Sequence, residues 1–251
     1  MRRVEDLLRA TAEAETRHFW FRGFRAFITP LVINATSGRT DVRILDCGCG
    51  TGANLALLGR FGRAYGFDLS EAGLRIGRKA GRAHLTRASV TAVPFATAAF
   101  DLVTSFDVLY SLQTPDEHAA VKEMYRLIRP GGYALVNVAA LEMLRGDHSV
   151  LSREVRRYSR GALRTLLGRA GFAIERMTYT NTALFLPMAI ARAVQRFRGL
   201  SNEHEARREI SVPPAPINAV LSGVLLLESL WIRRFDSPFG SSLLCLARKP
   251  A

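Results

Sequence analysis

The stretch VRILDCGCGTGANLALL, residues 42–58, limits the possible folds more than any other part of the chain. An apolar run of strand length ends on an acid, Asp46. Gly48, Gly50 and Gly52 follow, and then a helical period begins. A strand that feeds a glycine-rich turn and a helix brings backbone N–H groups and a helix N-terminus to one point. Glycine there lets a ligand approach main chain that a Cβ would shield. Asp46 falls at the carboxyl end of the strand, where open α/β sheets bind their ligands. Asp68, twenty residues past Gly48, ends the next apolar run in AYGFDLS. A carboxylate at that place can accept both hydroxyls of a ribose, so the pair reads as a site for a cofactor carrying a nucleoside.

The rest of the chain agrees with such a sheet. Strand-length apolar runs recur at 42–46, 63–69, 100–108 and 133–139, and helical periods fill 53–61, 71–82 and 115–128. Gly131 and Gly132 punctuate the passage from the last of these helices to its strand. This alternation predicts a doubly wound, mostly parallel sheet covered on both faces. Beyond it, 159–171 reads as a helix with Ser159 as N-cap, and 172–180 and 241–249 read as strands. Between those two strands lies an insert longer than ordinary connections. The domain reading is therefore an N-terminal helical lid (1–40), a core (41–181 with 239–251) and a helical cap (182–238). The 251 residues suffice for one sizeable core.

Spacing narrows the cofactor. Dinucleotide sites use G-x-G-x-x-G, whereas this turn is G-x-G-x-G behind an acid, which suits a positively charged cofactor and repels a pyrophosphate. DCGCGTG with the downstream GFD resembles the first two motifs of class I S-adenosylmethionine-dependent methyltransferases. VPFATAAFDLVTSFDVLYSL (93–112) and EMYRLIRPGGYALV (123–136) resemble later motifs of that family, and the resemblance covers roughly 42–181. It implies a Rossmann-like sheet of seven strands, the last antiparallel, and S-adenosyl-L-methionine as cofactor. It implies that Asp46 and Gly48 face the methionine part, that Cys49, Gly50 and Gly52 form the turn, and that Asp68 holds the ribose. Leu69, Ser89 and Val90 would border the adenine, with Ser89 standing where the family often has an acid. Phe106 would lie near the methionine chain.

Methyl transfer from a sulfonium mainly needs alignment, which supplies up to about 7–11 kcal/mol in intramolecular models. A general base adds about 10²–10⁴-fold when the acceptor keeps its proton. His148, in RGDHSV just past the fifth strand, is the first candidate base, and a loop histidine is the other reading of it. His18 and Tyr158 are further candidates, while His118 on the 115–128 helix reads as structural. Arg156 and Arg157, Tyr110, Tyr179 and Asn181 are candidate substrate contacts. Asn181 also reads as a helix cap. Trp20, within the aromatic run HFWFRGFRAF (18–27), is either a lid over the sulfonium, adding cation–π attraction, or core.

No clustering of ligands suggests a metal, and Cys47, Cys49 and Cys245 make no disulfide framework. The N-terminus is charged rather than apolar, and no span reaches about 18 uncharged apolar residues, the nearest being 217–232 with Glu228. The expectation is a cytoplasmic enzyme, monomer or homodimer, acting on a small apolar or amphipathic metabolite, with an oxygen acceptor favoured over carbon or nitrogen. The net charge of +13 is nearly all arginine and forms no stripe with interleaved aromatics, so nucleic acid is not the expected partner. The helices of 182–234 read as a pocket cap, as an interfacial pair at the inner membrane, or as a dimer interface. The alternatives to a metabolite enzyme are a membrane-surface methyltransferase of a lipid or polyprenyl-linked acceptor and a non-catalytic cofactor-binding module.

Overall fold

A computed structural model describes residues 11–39, 41–146, 149, 154–198 and 211–251. Seven strands form one sheet: β1 (Val42–Cys47), β2 (Gly62–Asp68), β3 (Leu85–Arg87), β4 (Phe100–Phe106), β5 (Ile128–Ala139), β6 (Ala173–Thr180) and β7 (Ser242–Arg248). Their order is β3-β2-β1-β4-β5-β7-β6. β1 pairs in parallel with β2 and β4, and β7 slots antiparallel between β5 and β6. The fold is thus the mostly parallel seven-stranded sheet expected.

The helices are α1 (Phe19–Thr36), α2 (Leu55–Leu58), α3 (Glu71–Lys79), α4 (Thr114–Leu127), α5 (Arg160–Arg169), α6 (Phe185–Arg198) and α7 (Ala215–Ile232). Every residue of β4 is buried, as a central strand covered on both faces requires. Its side chains alternate between two half-cores. Val103 joins Val121, Met124 and Leu163 under α4 and α5, whereas Leu102 joins Ile28, Leu31 and Leu225 under α1 and α7.

Several expectations need correction. β3 was not legible, because a three-residue edge strand shows no periodicity. The helix expected over 53–61 shrinks to the four residues of α2. No gap separates α4 from β5, since the strand starts at Ile128 and carries Gly131, at φ +77°, inside it. A shift in the β4–β5 register between Phe100 and Leu102 accommodates that turn.

The N-terminal segment is mainly wall rather than lid. α1 buries Phe27, Ile28, Leu31 and Val32 against the sheet. A Cβ at Gly23 would lie 2.4 Å from Leu225 Cδ1, so glycine is what lets α1 and α7 touch. α7 is also longer than the apolar run suggested. Its 18 residues, at mean hydropathy 1.6, are long and apolar enough to cross a bilayer by length and composition, yet Leu225 and Ile232 are sunk in the core.

This packing separates two neighbouring leucines on α7. Leu225→Ala should cost about 2–5 kcal/mol of stability, the range for truncating a fully buried leucine. Leu227→Ala, on the exposed side, should stay within about 0.5 kcal/mol. Urea unfolding of both variants checks the difference.

Candidate active site

All the parallel strands point their carboxyl ends at one edge, where β6 ends and β7 begins: Thr180 and Ala139 both pair with Ser242. The glycine turn sits at that edge, beyond β1. Gly48 and Cys49 each donate their N–H to the Phe67 carbonyl at 2.9 Å, hooking the turn over β2. Gly48 holds φ +72°, and a Cβ there would come within 2.4 Å of Val108 Cγ2. Conformation and space thus both demand glycine. Gly50, at φ +58°, has open space where its Cβ would be. The Cys49 side chain turns onto β2 beside Gly66, so only its main chain faces the crevice. Burial raises its thiol, which stays neutral.

Asp68 Oδ2 accepts the Gly50 N–H at 2.8 Å and Oδ1 accepts the Ser70 N–H at 2.7 Å. A carboxylate has about four acceptor positions. Two remain for ligand hydroxyls, beside Leu69, which is 66% exposed. Asp46 is buried and accepts the Thr104 hydroxyl at 2.6 Å. Desolvation raises its carboxyl to about 7. The Thr104 bond opposes the rise and the Asp68 charge adds to it. Neither carboxylate makes an ion pair among the described residues.

The turn is held from behind by residues with no sequence signal. Glu15 accepts the Thr51 hydroxyl at 2.8 Å and pairs with Arg82, whose other nitrogen donates to the Thr51 carbonyl at 2.8 Å. Gly73 and Gly77 of α3 let that helix touch the turn's main chain, since Cβ atoms there would lie 2.9 Å from Gly50 O and 2.2 Å from Thr51 O.

Farther along the edge a half-open cavity of about 100 Å³ is lined by Trp20, Asp107, Tyr110, Glu154, Arg157, Arg192, Ser241 and Ser242, with Leu144 and Met188. Tyr110 and Arg157 were expected to contact substrate and Trp20 to cover the sulfonium or join the core; all three line this cavity. Arg157 pairs with Glu154 at 2.9 Å and donates to Ala140 O and Ser149 Oγ. Burial raises the Tyr110 phenol well above its ordinary range. Asn181 stands behind the cavity, donating to Ser241 Oγ at 3.2 Å, with φ +63° and no capping role.

Asp107 was missed. It follows Phe106, on which the resemblance had settled, but Phe106 is buried edge-to-face against Phe24 of α1, 5.0 Å between centroids. Asp107 takes the crevice position at φ +61°, held by the Asn137 side-chain amide at 2.9 Å. Surrounding protein raises its carboxyl above the ordinary range, chiefly by desolvation. The Asn137 bond and the Arg157 charge lower it, and the Glu154 charge raises it. The carboxylate is exposed on the side facing the cavity. The acid in SFDVLYSL immediately after a strand was the available signal.

Other candidates serve structure. His18 caps α1, its Nδ1 accepting the Trp20 N–H at 3.1 Å. The Tyr158 hydroxyl donates to Glu117, and Arg156 pairs with the same carboxylate at 2.8 Å, so neither reaches the cavity. Tyr179 is packed in the core under Arg160. The Ser89 hydroxyl is turned onto Thr91 at 2.8 Å, and Val90 packs against the core. His118 is half-buried on α4. His148 lies outside the described residues.

The switch-point crevice, the glycine turn and the two strand-end carboxylates define an open α/β fold of the nucleoside-binding type. Residues 45–136 match the methyltransferase-domain family. The chain carries a class I S-adenosylmethionine-dependent methyltransferase domain, and its cofactor is S-adenosyl-L-methionine. It is 31% identical over 145 residues to the ubiquinone/menaquinone biosynthesis C-methyltransferase UbiE of Pseudoalteromonas translucida, covering 53% of this chain and 55% of that protein. It is 35% identical over 112 residues to the malonyl-[acyl-carrier protein] O-methyltransferase of Enterobacter lignolyticus, 42% of each. The matches thus span about half the length of these relatives. The crystal structure of the [4+2]-cyclase SpnF shares the fold, with a TM-score of 0.58 and 22% identity over 90% of this chain and 81% of that one.

Two predictions concern cofactor binding. Asp68→Ala should weaken S-adenosylmethionine by about 10–100-fold in calorimetry, from the loss of bonds to a charged group. The Asp46 carboxyl is ionised only above about 7. Affinity for the cationic cofactor should therefore be flat at higher pH and fall as pH drops through 7, by up to about tenfold per unit. Asp46→Asn should lower the plateau and remove the slope.

Proposed function

We propose that this protein transfers a methyl group from S-adenosylmethionine to the hydroxyl of a small amphipathic metabolite held in the cavity, at the cytoplasmic side of the cell. The observation that carries the reading is Asp107, an accessible carboxylate of raised pKa on a wall that also holds Trp20 and Tyr110.

The residues fit the cofactor. The main chain at Gly50 is bare and Asp68 keeps acceptor positions free. Asp46 offers negative charge in a water-poor place, where it is worth most. Asp68 would hold the ribose, Leu69 would cover the adenine, and Asp46 with Gly48 would face the methionine end. Bound there, S-adenosylmethionine supplies an electrophilic methyl group on a sulfonium.

The chain's own residues do the rest. Trp20 closes the cavity from the α1 side and limits water. Asp107 orients the acceptor hydroxyl and takes its proton, and the Asn137 amide holds that carboxylate in position. The Arg157–Glu154 pair and the hydroxyls of Ser241 and Ser242 give the wall polar contacts. That wall suits an amphipathic acceptor better than the wholly apolar one the insert suggested. The relatives' names include both C- and O-methyltransferases, so the preference for oxygen rests on Asp107. The peripheral membrane contact expected of 182–234 has separate support, the outward apolar faces of α6 and α7.

Asp107→Asn should lower kcat by about 10²–10⁴-fold in a screen of hydroxylated amphipathic metabolites, with cofactor affinity unchanged. In the unaltered protein kcat should rise with pH as the base ionises, and the variant should lose that limb. An Asp107→Asn enzyme of full activity would overturn the proton-accepting role. Intact cofactor binding with no transfer to any acceptor would favour the non-catalytic module.

A further inference from the structure

α6 is built inside out, and α7 is apolar on its outer side as well as its inner one. A helix on a globular surface turns its apolar stripe to the core and its polar face to water. On α6, Leu186, Ile190, Val194 and Phe197 are all exposed, Phe197 at 95%. At the helical step of 100° they share one stripe about 80° wide. The side toward the domain carries Arg192 and Gln195, joined by a 2.7 Å bond, while Arg196 reaches back to the Met143 carbonyl. On α7 the buried side includes Ser222, Glu228 and Ser229. Glu228 accepts the N–H groups of Thr182 and Ala183 at 2.8 and 3.1 Å, tying the two helices together. The outer side of α7 shows Val220, Leu227, Leu230 and Trp231 to solvent.

From this we propose that the outer faces of α6 and α7 dock on an anionic lipid bilayer. Charge selects that occupant. Glu228 is the only acid in either helix, and it is buried. Arg198 ends α6 and Arg233–Arg234 follow α7. All three are exposed, and they make no ion pair among the described residues. Apolar and cationic groups without acids suit an anionic interface. A second copy of this face would bring no acid to these arginines from either helix, since the one acid of the two helices, Glu228, is buried. Trp231 and Phe235 lie 4.5 Å apart between ring centroids beside those arginines, and aromatic rings such as Trp favour the headgroup level of a bilayer. α7 lies on the surface rather than crossing, because Leu225 and Ile232 hold it in the core. The inner side of α6 lines the catalytic cavity through Met188 and Arg192, so docking sets that cavity beside the bilayer. The inference rests on the helix faces and is independent of methyl transfer.

Flotation of the full chain tests it, with vesicles of phosphatidylcholine alone or with phosphatidylglycerol at about 30%. Binding should be strong to the mixed vesicles, weak to the neutral ones, and reduced by salt. The double variant Ile190→Glu/Leu227→Glu should bind at least about tenfold more weakly, with its melting temperature and cofactor affinity unchanged. Arg233→Ala/Arg234→Ala should lose about fivefold per arginine on mixed vesicles only. Absence of flotation, or undiminished binding by the Glu variant, overturns the proposal. So does a solution dimer that the Glu variant splits, which would make the face a self-interface. None of these outcomes touches the catalytic reading, which the Asp107 kinetics decide separately.

Discussion

The hook of the first glycine turn over β2 fixes everything downstream in this molecule. Two N–H groups, from Gly48 and Cys49, share the single carbonyl of Phe67, and one residue later Asp68 reaches back to the Gly50 N–H. Turn and strand end therefore brace each other before any ligand arrives. The second support comes from behind, where Glu15 and Arg82 hold Thr51 on both its hydroxyl and its carbonyl. A preformed turn spends little ordering entropy when it binds. It also sets where β4 must end, since Val108 packs over Gly48 in the space a Cβ would fill, and Asp107 is its neighbour in the chain. Val108, filling the space of the absent Gly48 Cβ, thus sets the glycine turn against the segment that carries Asp107 into the cavity wall.

What the sequence made legible were groups that lie close together in the chain. Asp46, the three glycines and Asp68 fall within one βαβ unit, and the strand–turn–helix pattern alone brings them to one edge. Long-range partners were not legible. Glu15 meets Thr51 across 36 residues, and Glu117 meets Tyr158 across 41. The second case shows how a reading goes astray. Arg156 and Tyr158 looked like a cationic, hydroxylated approach to substrate, but α4 carries the carboxylate that absorbs both. Phe106 and Asp107 show a smaller error of one position. At a strand end adjacent side chains face opposite sides, so taking the aromatic instead of the acid chose the α1 core over the crevice.

The insert presents the converse. Its two apolar helices were plain in the sequence, and their hydrophobicity fitted a pocket cap, an interfacial pair at a membrane or a dimer interface alike. Hydrophobicity does not say which way a helix faces. Glu228 settles α7, because a carboxylate that accepts the Thr182 and Ala183 N–H groups must turn inward, which forces Leu227 and Trp231 outward. One buried polar contact thus fits the orientation of an 18-residue helix, and the insert reaches the cavity only through Met188 and Arg192 of α6.

The excess of arginine has a structural use as well. Arg82, Arg126, Arg156, Arg157 and Arg176 each pair with a carboxylate and also donate to at least one main-chain carbonyl: Thr51, Phe95, Leu112, Ala140 and Phe235 respectively. A planar fork of five donors can serve both at once, and an ammonium on a flexible stem does so poorly. These five are clamps that join loops to the sheet, with their charge largely neutralised where they stand. The net charge of +13 is therefore not spread evenly over the surface. It is expressed where arginines make no ion pair among the described residues, as Arg198, Arg233 and Arg234 do not.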